Sequence, residues 1–227
     1  MPDINDKNKP LLSVIIVNWN TCDCLRSCLT FLFAGDYADR KIEVIVVDNG
    51  STDSSVAMVE DQFPPVMVVK NEANMGYARA VNVGLKTASG KYVLLLNSDA
   101  YVGRNTIRDL CSFLDKNRSV GAVSPRLVRE DGRVQPFLFG RDPRFTYLLA
   151  RGVARFLFDR SLHRWETGET KEVDWVSGAC LMTRKAVFES IGYLDETMFM
   201  FFEDNDLCLR MRMSGWKVVY FPHTTVT

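Results

Sequence analysis

The chain alternates short apolar runs with segments whose apolar residues recur at helical spacing. Leu11 to Val17, Ile42 to Val47, Val66 to Val69 and Tyr92 to Leu96 are nearly continuous runs rich in valine, isoleucine and leucine. Runs of this kind are expected of strands covered on both faces, as in a parallel sheet. Between them, Cys22 to Phe33, Ser54 to Gln62 and Tyr77 to Thr87 predict helices. The second follows the cap-like Ser51-Thr52-Asp53, and the third is bracketed by Gly76 and Gly90. Such alternation predicts an α/β fold with a doubly wound, mostly parallel sheet and right-handed crossovers. Ligands of these sheets sit beyond the carboxyl ends of the strands.

After Asp99 the pattern loosens. Helices are expected over Thr106 to Lys116, Lys185 to Ile191 and Glu203 to Met213. Strands are expected over Val120 to Ser124, over Trp175 to Thr183 with Gly178 inside it, and over Trp216 to Phe221. Gln135 to Lys171 has no clean period. Residues 1–10 read as a disordered polar lead-in and residues 11–227 as a single domain, without internal repeats.

Polar clusters stand where a ligand of this fold would lie. Asp48-Asn49-Gly50-Ser51 directly follows the second strand, and Asn97-Ser98-Asp99 the fourth. A carboxylate at a strand end either holds a divalent cation that grips phosphate oxygens or caps the next helix. No G-x-G-x-x-G follows the first strand and no G-x-x-x-x-G-K-[ST] occurs, so a nucleotide held by a cation fits better than one held by a glycine loop. The third cluster is Glu203-Asp204-Asn205-Asp206, behind the aromatic run Met198 to Phe202. Mutual repulsion and an apolar wall both raise carboxylate pKa values, which suits a general base. The alternative is a solvated helix N-terminus favouring acids. Trp175 either stacks on a sugar or fills core.

Charge and cysteine usage narrow the classes. Lysine plus arginine equals aspartate plus glutamate, 28 each in 227 residues, which argues against nucleic acid as a partner. Six cysteines without a C-x-x-C pair read as reduced buried thiols. The start is polar and no apolar run is long enough to span a bilayer, so a cytoplasmic location is expected. Residues 141–165 interleave arginines with apolar residues at helical spacing. They read either as a surface helix making peripheral contact at the inner membrane face or with a lipid-linked acceptor, or as a helix packed over the site.

Six segments in order then carry a specific resemblance: Ser13-Val14-Ile15-Ile16-Val17-Asn18-Trp19-Asn20, Val46-Val47-Asp48-Asn49-Gly50-Ser51-Thr52-Asp53, Asn74-Met75-Gly76-Tyr77-Ala78-Arg79-Ala80-Val81-Asn82, Leu96-Asn97-Ser98-Asp99, Ser177-Gly178-Ala179 and Glu203-Asp204-Asn205-Asp206. Over residues 11–227 the chain resembles the family 2 inverting glycosyltransferases of the GT-A fold, in their rhamnosyltransferase-like branch. The resemblance implies a nucleotide-sugar-binding half over 11–103 and an acceptor and catalytic half over 104–227, truncated at its C-terminus. It implies that Val17, Asn18, Asn20, Asp48, Asn74, Gly76, Arg79, Asn82, Asn97 and Ser98 line the nucleotide-sugar site and that Asp99 binds a divalent cation, Mg or Mn. It further implies that Trp175, Gly178, Ala179, Glu203 and Asp206 face the acceptor or sugar and that Asp204 is the catalytic base.

The implied reaction is inverting transfer from a dTDP- or UDP-linked sugar, rhamnose among them, to a hydroxyl on a glycan, lipid-linked or protein acceptor. Two departures stand out. The first acid of the D-x-D signature is replaced by Asn97. The position of a metal-binding histidine falls one residue beyond Thr227, with His223 too early in that register. Rival readings are a metal-dependent nucleotidyltransferase and an inactive nucleotide-sugar-binding protein.

Overall fold

The computed structural model describes residues 10–35, 41–142 and 165–227. In chain order the elements are β1 (Leu12–Asn18), α1 (Cys22–Phe33), β2 (Ile42–Asp48), α2 (Ser55–Gln62), β3 (Met67–Lys70), α3 (Tyr77–Thr87), β4 (Tyr92–Asn97) and α4 (Thr106–Lys116). Then follow β5 (Val120–Leu127), β6 (Phe139–Gly140), β7 (Lys171–Glu172), β8 (Trp175–Val176), β9 (Cys180–Arg184), α5 (Lys185–Ile191), α6 (Glu203–Met213) and β10 (Lys217–Val226).

One eight-stranded sheet runs β3-β2-β1-β4-β9-β5-β10-β7, and β6 pairs with β8 separately. Strands β3, β2, β1 and β4 are parallel. The chain leaves β1 towards β2 on one side and later returns to place β4 on the other. This reversal opens a crevice beyond the carboxyl ends of β1 and β4. The apolar runs are buried as their composition demands: Leu12, Val14 and Ile16 on β1 and Leu94 and Leu96 on β4 are fully enclosed. Helix α1 turns Leu25, Cys28, Leu29 and Leu32 inward, one stripe at helical spacing. Each fully buried leucine or isoleucine contributes about 1.5–3 kcal/mol relative to exposure.

Three features differ from the sequence expectation. The expected strand from Trp175 to Thr183 is two strands, β8 and β9, separated by a turn at Gly178–Ala179. The turn forms because its backbone groups bond elsewhere: Gly178 N–H to a side chain, and Ala179 C=O to the amide of Asn97. Strand β9 then enters the sheet antiparallel to both β4 and β5, which periodicity could not reveal. Finally, the closing strand runs on to Val226, paired in parallel with β5. No helix among the described residues is long and apolar enough to cross a membrane. The predicted amphipathic helix within 141–165 lies, apart from its end residues, outside the described residues.

Candidate active site

In-register pairing brings three polar residues to one edge. Asn18 lies opposite Asp48, and Asn97 opposite Val17, so β1, β2 and β4 each end on a polar side chain at nearly the same level. Asp48 is buried, and a buried carboxylate needs hydrogen-bond donors. Asn18 Nδ2 donates to its Oδ1 at 3.1 Å, and the Ser51 amide donates to its Oδ2 at 3.0 Å. Asn18 Oδ1 accepts from Thr21 Oγ1 at 2.7 Å, and Thr21 Oγ1 lies 2.9 Å from Ser98 Oγ. A continuous hydrogen-bonded belt therefore links the ends of β1, β2 and β4. Val17 is half-buried beside it. Asn20 adopts a left-handed φ of 55° and accepts from the amides of Thr52 and Asp53 at 2.7 and 3.3 Å, clamping the loop after β2.

A second network fixes the loop into α3. Asn49, 2% exposed, donates from Nδ2 to Asn74 Oδ1 at 2.9 Å, and its Oδ1 accepts from Asn71 Nδ2 and the Met75 amide. Asn74 Oδ1 also accepts from the Gly76 amide. The sequence reading left Asn49 out of the site. The signal was present, because a buried asparagine directly after a strand must satisfy both halves of its amide. Gly76 has φ 88° and ψ 163°, a region essentially restricted to glycine, and a Cβ there would lie 2.7 Å from Phe199 O. Gly76→Ala is expected to destabilise the fold by about 2–3 kcal/mol, lowering the thermal midpoint by roughly 5–10 °C. Calorimetry reads this directly, and an unchanged midpoint would show that the loop adapts freely.

Two residues expected beside the nucleotide sugar also hold the fold. Asn82 is buried; its Nδ2 donates to Leu194 O and Glu196 Oε1, and its Oδ1 accepts from the Leu194 amide. Arg79 Nε donates to Glu196 O at 3.3 Å. Both side chains pin the 194–196 segment to α3.

Asp99 stands at the tip of the turn after β4, in which the Ala100 amide donates to Asn97 O at 3.1 Å. Its side chain is exposed and makes no hydrogen bond or ion pair among the described residues. It lines a cavity of about 110 Å³ with Asn97, Ala100, Leu127, Gln135, Ala179, Val226 and Thr227. Because β9 runs antiparallel, its first residue, Cys180, lies opposite Leu96, and the Gly178–Ala179 turn lands on the same edge. The Asn97 amide donates to Ala179 O at 2.9 Å. From the other side, the Gly178 amide donates to Asp204 Oδ2 at 2.9 Å, and the Asn205 amide to Asp204 Oδ1 at 2.8 Å. Asp99 and Asp204 thus flank one turn.

Tyr77, half-buried at the start of α3, sits among these acids. Burial first, then the charges of Glu203, Asp204 and Asp99, push its phenol upward. Burial also holds the Asp204 carboxyl above the ordinary aspartate range, against the amide hydrogen bonds that lower it. Glu203 is shifted the same way, by burial and by Asp204, and its Oε2 is buried without a hydrogen-bond partner among the described residues. Asp206 instead takes two contacts from Arg210, Nε at 2.8 Å and Nη2 at 2.7 Å, and Arg210 in turn donates to Ile191 O. Phe201 and Phe202, just before Glu203, both have left-handed φ, 70° and 68°, with rings largely exposed. Bulky residues held so cost roughly 1–2 kcal/mol each.

Trp175 packs so closely on the β6 backbone that a Cβ on Gly140 would lie 2.5 Å from its ring, and its indole N–H donates to Arg141 O. His223 is exposed and packs edge-on against Phe221. No group of three or more His, Cys, Asp or Glu that could hold a metal ion is found among the described residues. A cation at Asp99 would therefore have no more than two such protein ligands. That fits Mg-type ions, which take one or two carboxylates and leave other positions to substrate phosphates and water.

Comparison with known proteins agrees with this geometry. The family described as "Glycosyl transferase family 2" matches residues 13–192. N-acetylglucosaminyl-diphospho-decaprenol L-rhamnosyltransferase of Mycobacterium tuberculosis is 31% identical over 209 residues, covering 83% of this chain and 66% of that protein. The mannosyltransferase PcManGT from Pyrobaculum calidifontis, solved with GDP-Man and Mn2+, has a TM-score of 0.68 at 23% identity, over 96% of this chain and 56% of that one. TarS 1-349 of S. aureus, solved with UDP-GlcNAc, has a TM-score of 0.67 at 22% identity, over 95% and 57%. At these identities the structural likeness is one of fold, the GT-A fold. The chain spans less than two thirds of the length of each of these relatives. With more than half of its residues matched by the family and its strand-end acids set around one crevice, the chain belongs to glycosyl transferase family 2, in the rhamnosyltransferase-like branch.

Proposed function

We propose that the chain transfers a sugar, with inversion, from a nucleoside-diphosphate sugar to an acceptor hydroxyl. The observation that supports this best is the placement of Asp99 and Asp204 on either side of the Gly178–Ala179 turn, joined through Asn97 N–H to Ala179 O and Gly178 N–H to Asp204. In this reading Asp99 serves the diphosphate and Asp204 the attacking hydroxyl.

The belt around Asp48 holds base and ribose, with Asp48 lone pairs left over from Asn18 and Ser51 accepting ribose or base donors. Asp99 would hold a divalent cation, Mg or Mn, which when bound would supply positive charge to offset that of the departing nucleotide. Asp204 accepts the proton of the acceptor hydroxyl as that oxygen attacks the anomeric carbon from the face opposite the leaving group. The Gly178 and Asn205 amides fix the orientation of its carboxylate. Burial raises the basicity of Asp204, with Glu203 as its neighbour in the chain. By analogy with the mycobacterial relative, a lipid-linked glycan is the favoured acceptor class and a deoxyhexose the favoured sugar.

A panel of dTDP-, UDP- and GDP-linked sugars with Mg or Mn tests this reading. The expected result is cation-dependent release of nucleoside diphosphate from one donor class, accelerated by acceptor. Release of pyrophosphate would point to nucleotidyl transfer, and tight donor binding without turnover to a sensor; either result overturns the reading.

A further inference from the structure

The cavity beside Asp99 has a wall that the sequence motifs do not touch. Strand β5 reaches the cleft at Leu127, and the chain then folds back on itself. Val128 pairs with Val134, the Gly132 amide donates to Arg129 O at 2.8 Å, and the Gln135 amide donates to Leu127 O at 3.0 Å. This tight hairpin returns Gln135 to the cleft opposite Ala179. Its side-chain amide makes no hydrogen bond among the described residues. The cavity it lines is mixed, with Leu127, Ala100 and Val226 as apolar residues and Asp99, Asn97 and Thr227 as polar ones.

A carboxamide carries two donors and a two-lone-pair acceptor, a match for neighbouring hydroxyls on a pyranose ring. A cavity of about 110 Å³ is far larger than one water needs. Its position is also telling. If Asp99 marks the diphosphate, a sugar attached to it has the adjoining cavity within reach, and Asp99, Ala179 and Gln135 line that cavity together.

We propose that Gln135 is a specificity-determining residue that binds the ring hydroxyls of the transferred sugar, with Leu127, Ala100 and Val226 as the apolar wall beside it. This rests on the donor reading given above.

The test compares binding of a nucleoside-diphosphate sugar with binding of the bare nucleoside diphosphate, by calorimetry with Mn2+ present, in wild type, Gln135→Ala and Gln135→Met. The Met variant keeps the side-chain length and removes the hydrogen bonds, so it guards against a packing defect. Both variants are expected to lose roughly tenfold in affinity for the sugar nucleotide, the size of one or two neutral hydrogen bonds, while the nucleoside diphosphate binds within about twofold of wild type. Discrimination between hydroxyl epimers of the donor sugar should shrink by a similar factor. Equal losses for both ligands, or full retention of sugar affinity in Gln135→Met, would overturn the assignment and leave the donor reading standing. Wild type that binds no nucleotide sugar in the panel would bring down both.

Discussion

Asp204→Asn is expected to lower turnover by roughly two to four orders of magnitude while the donor still binds within about twofold of wild type. The asymmetry follows from the proposed roles. Asp204 is held by the Gly178 and Asn205 amides and is proposed to serve the acceptor, whereas the donor diphosphate is expected at Asp99. An amide of the same shape fills the same space and cannot take the proton, at the cost of one of the two backbone amide hydrogen bonds. Single-turnover kinetics with saturating donor separates the two effects, and a variant with near-wild-type rate would remove Asp204 as the base. Glu203→Gln tests the neighbouring candidate and should cost much less.

The pH profile carries the same claim. Burial raises the Asp204 carboxyl above its ordinary value of 3.8, and the groups facing it are Tyr77, Glu203 and Cys208. The acid limb of the kcat profile is therefore expected above the ordinary aspartate range, and it should vanish in the residual rate of Asp204→Asn. The linked stability has a definite sign. The native state holds this proton to higher pH than the unfolded chain does. The resulting stabilisation is full below pH 3.8 and is lost as pH rises through the raised native value. Ionised Asp204 thus lowers stability at neutral pH, as expected of a carboxylate kept dry for reaction.

Much of the fold was legible because its first half is built from local signals. Runs such as Ile42 to Val47 and Tyr92 to Leu96 admit little besides buried strands, and α1, α3, α4, α5 and α6 begin and end where helical spacing placed them. What escaped was set by distant partners. No property of Trp175 to Thr183 says that Gly178 N–H will find Asp204, which breaks the run into two strands. Nor does local sequence say that β9 will insert antiparallel between β4 and β5.

The site shows the same division. The strand-end position of Asp48 and Asp99 and the apolar setting of Glu203 and Asp204 follow from the residues beside them in sequence. The scaffolding parts of Asn49 and Asn82 depend on loops 20 or more residues away, which only the tertiary arrangement brings near. Gln135 belongs with these, carried into the cleft by a hairpin rather than by a recognisable motif.

Asp99→Ala is expected to remove the cation dependence of nucleotide binding altogether. In wild type, withdrawing Mn2+ or Mg2+ with a chelator should weaken nucleoside-diphosphate affinity by roughly a hundredfold or more, the scale of a divalent charge against a diphosphate. In Asp99→Ala, affinity should already be at that weak level and should not respond to added cation. The effect is expected to concentrate on this residue for a structural reason. Its partner in the D-x-D pattern is the neutral Asn97, and no group of three or more acidic, His or Cys side chains that could hold a metal ion is found among the described residues. Removing the Asp99 carboxylate therefore takes away the main anionic ligand of the proposed site. The exposure of Asp99 and its lack of a protein partner also mean that the fold loses little when it is removed, so the thermal midpoint should stay within about a degree or two, as for other surface replacements. A variant that keeps cation-responsive binding would move the cation elsewhere and separate Asp99 from the diphosphate. Set beside Asp204→Asn, which should keep cation-responsive binding and lose turnover, the two variants divide the crevice into its two working sides.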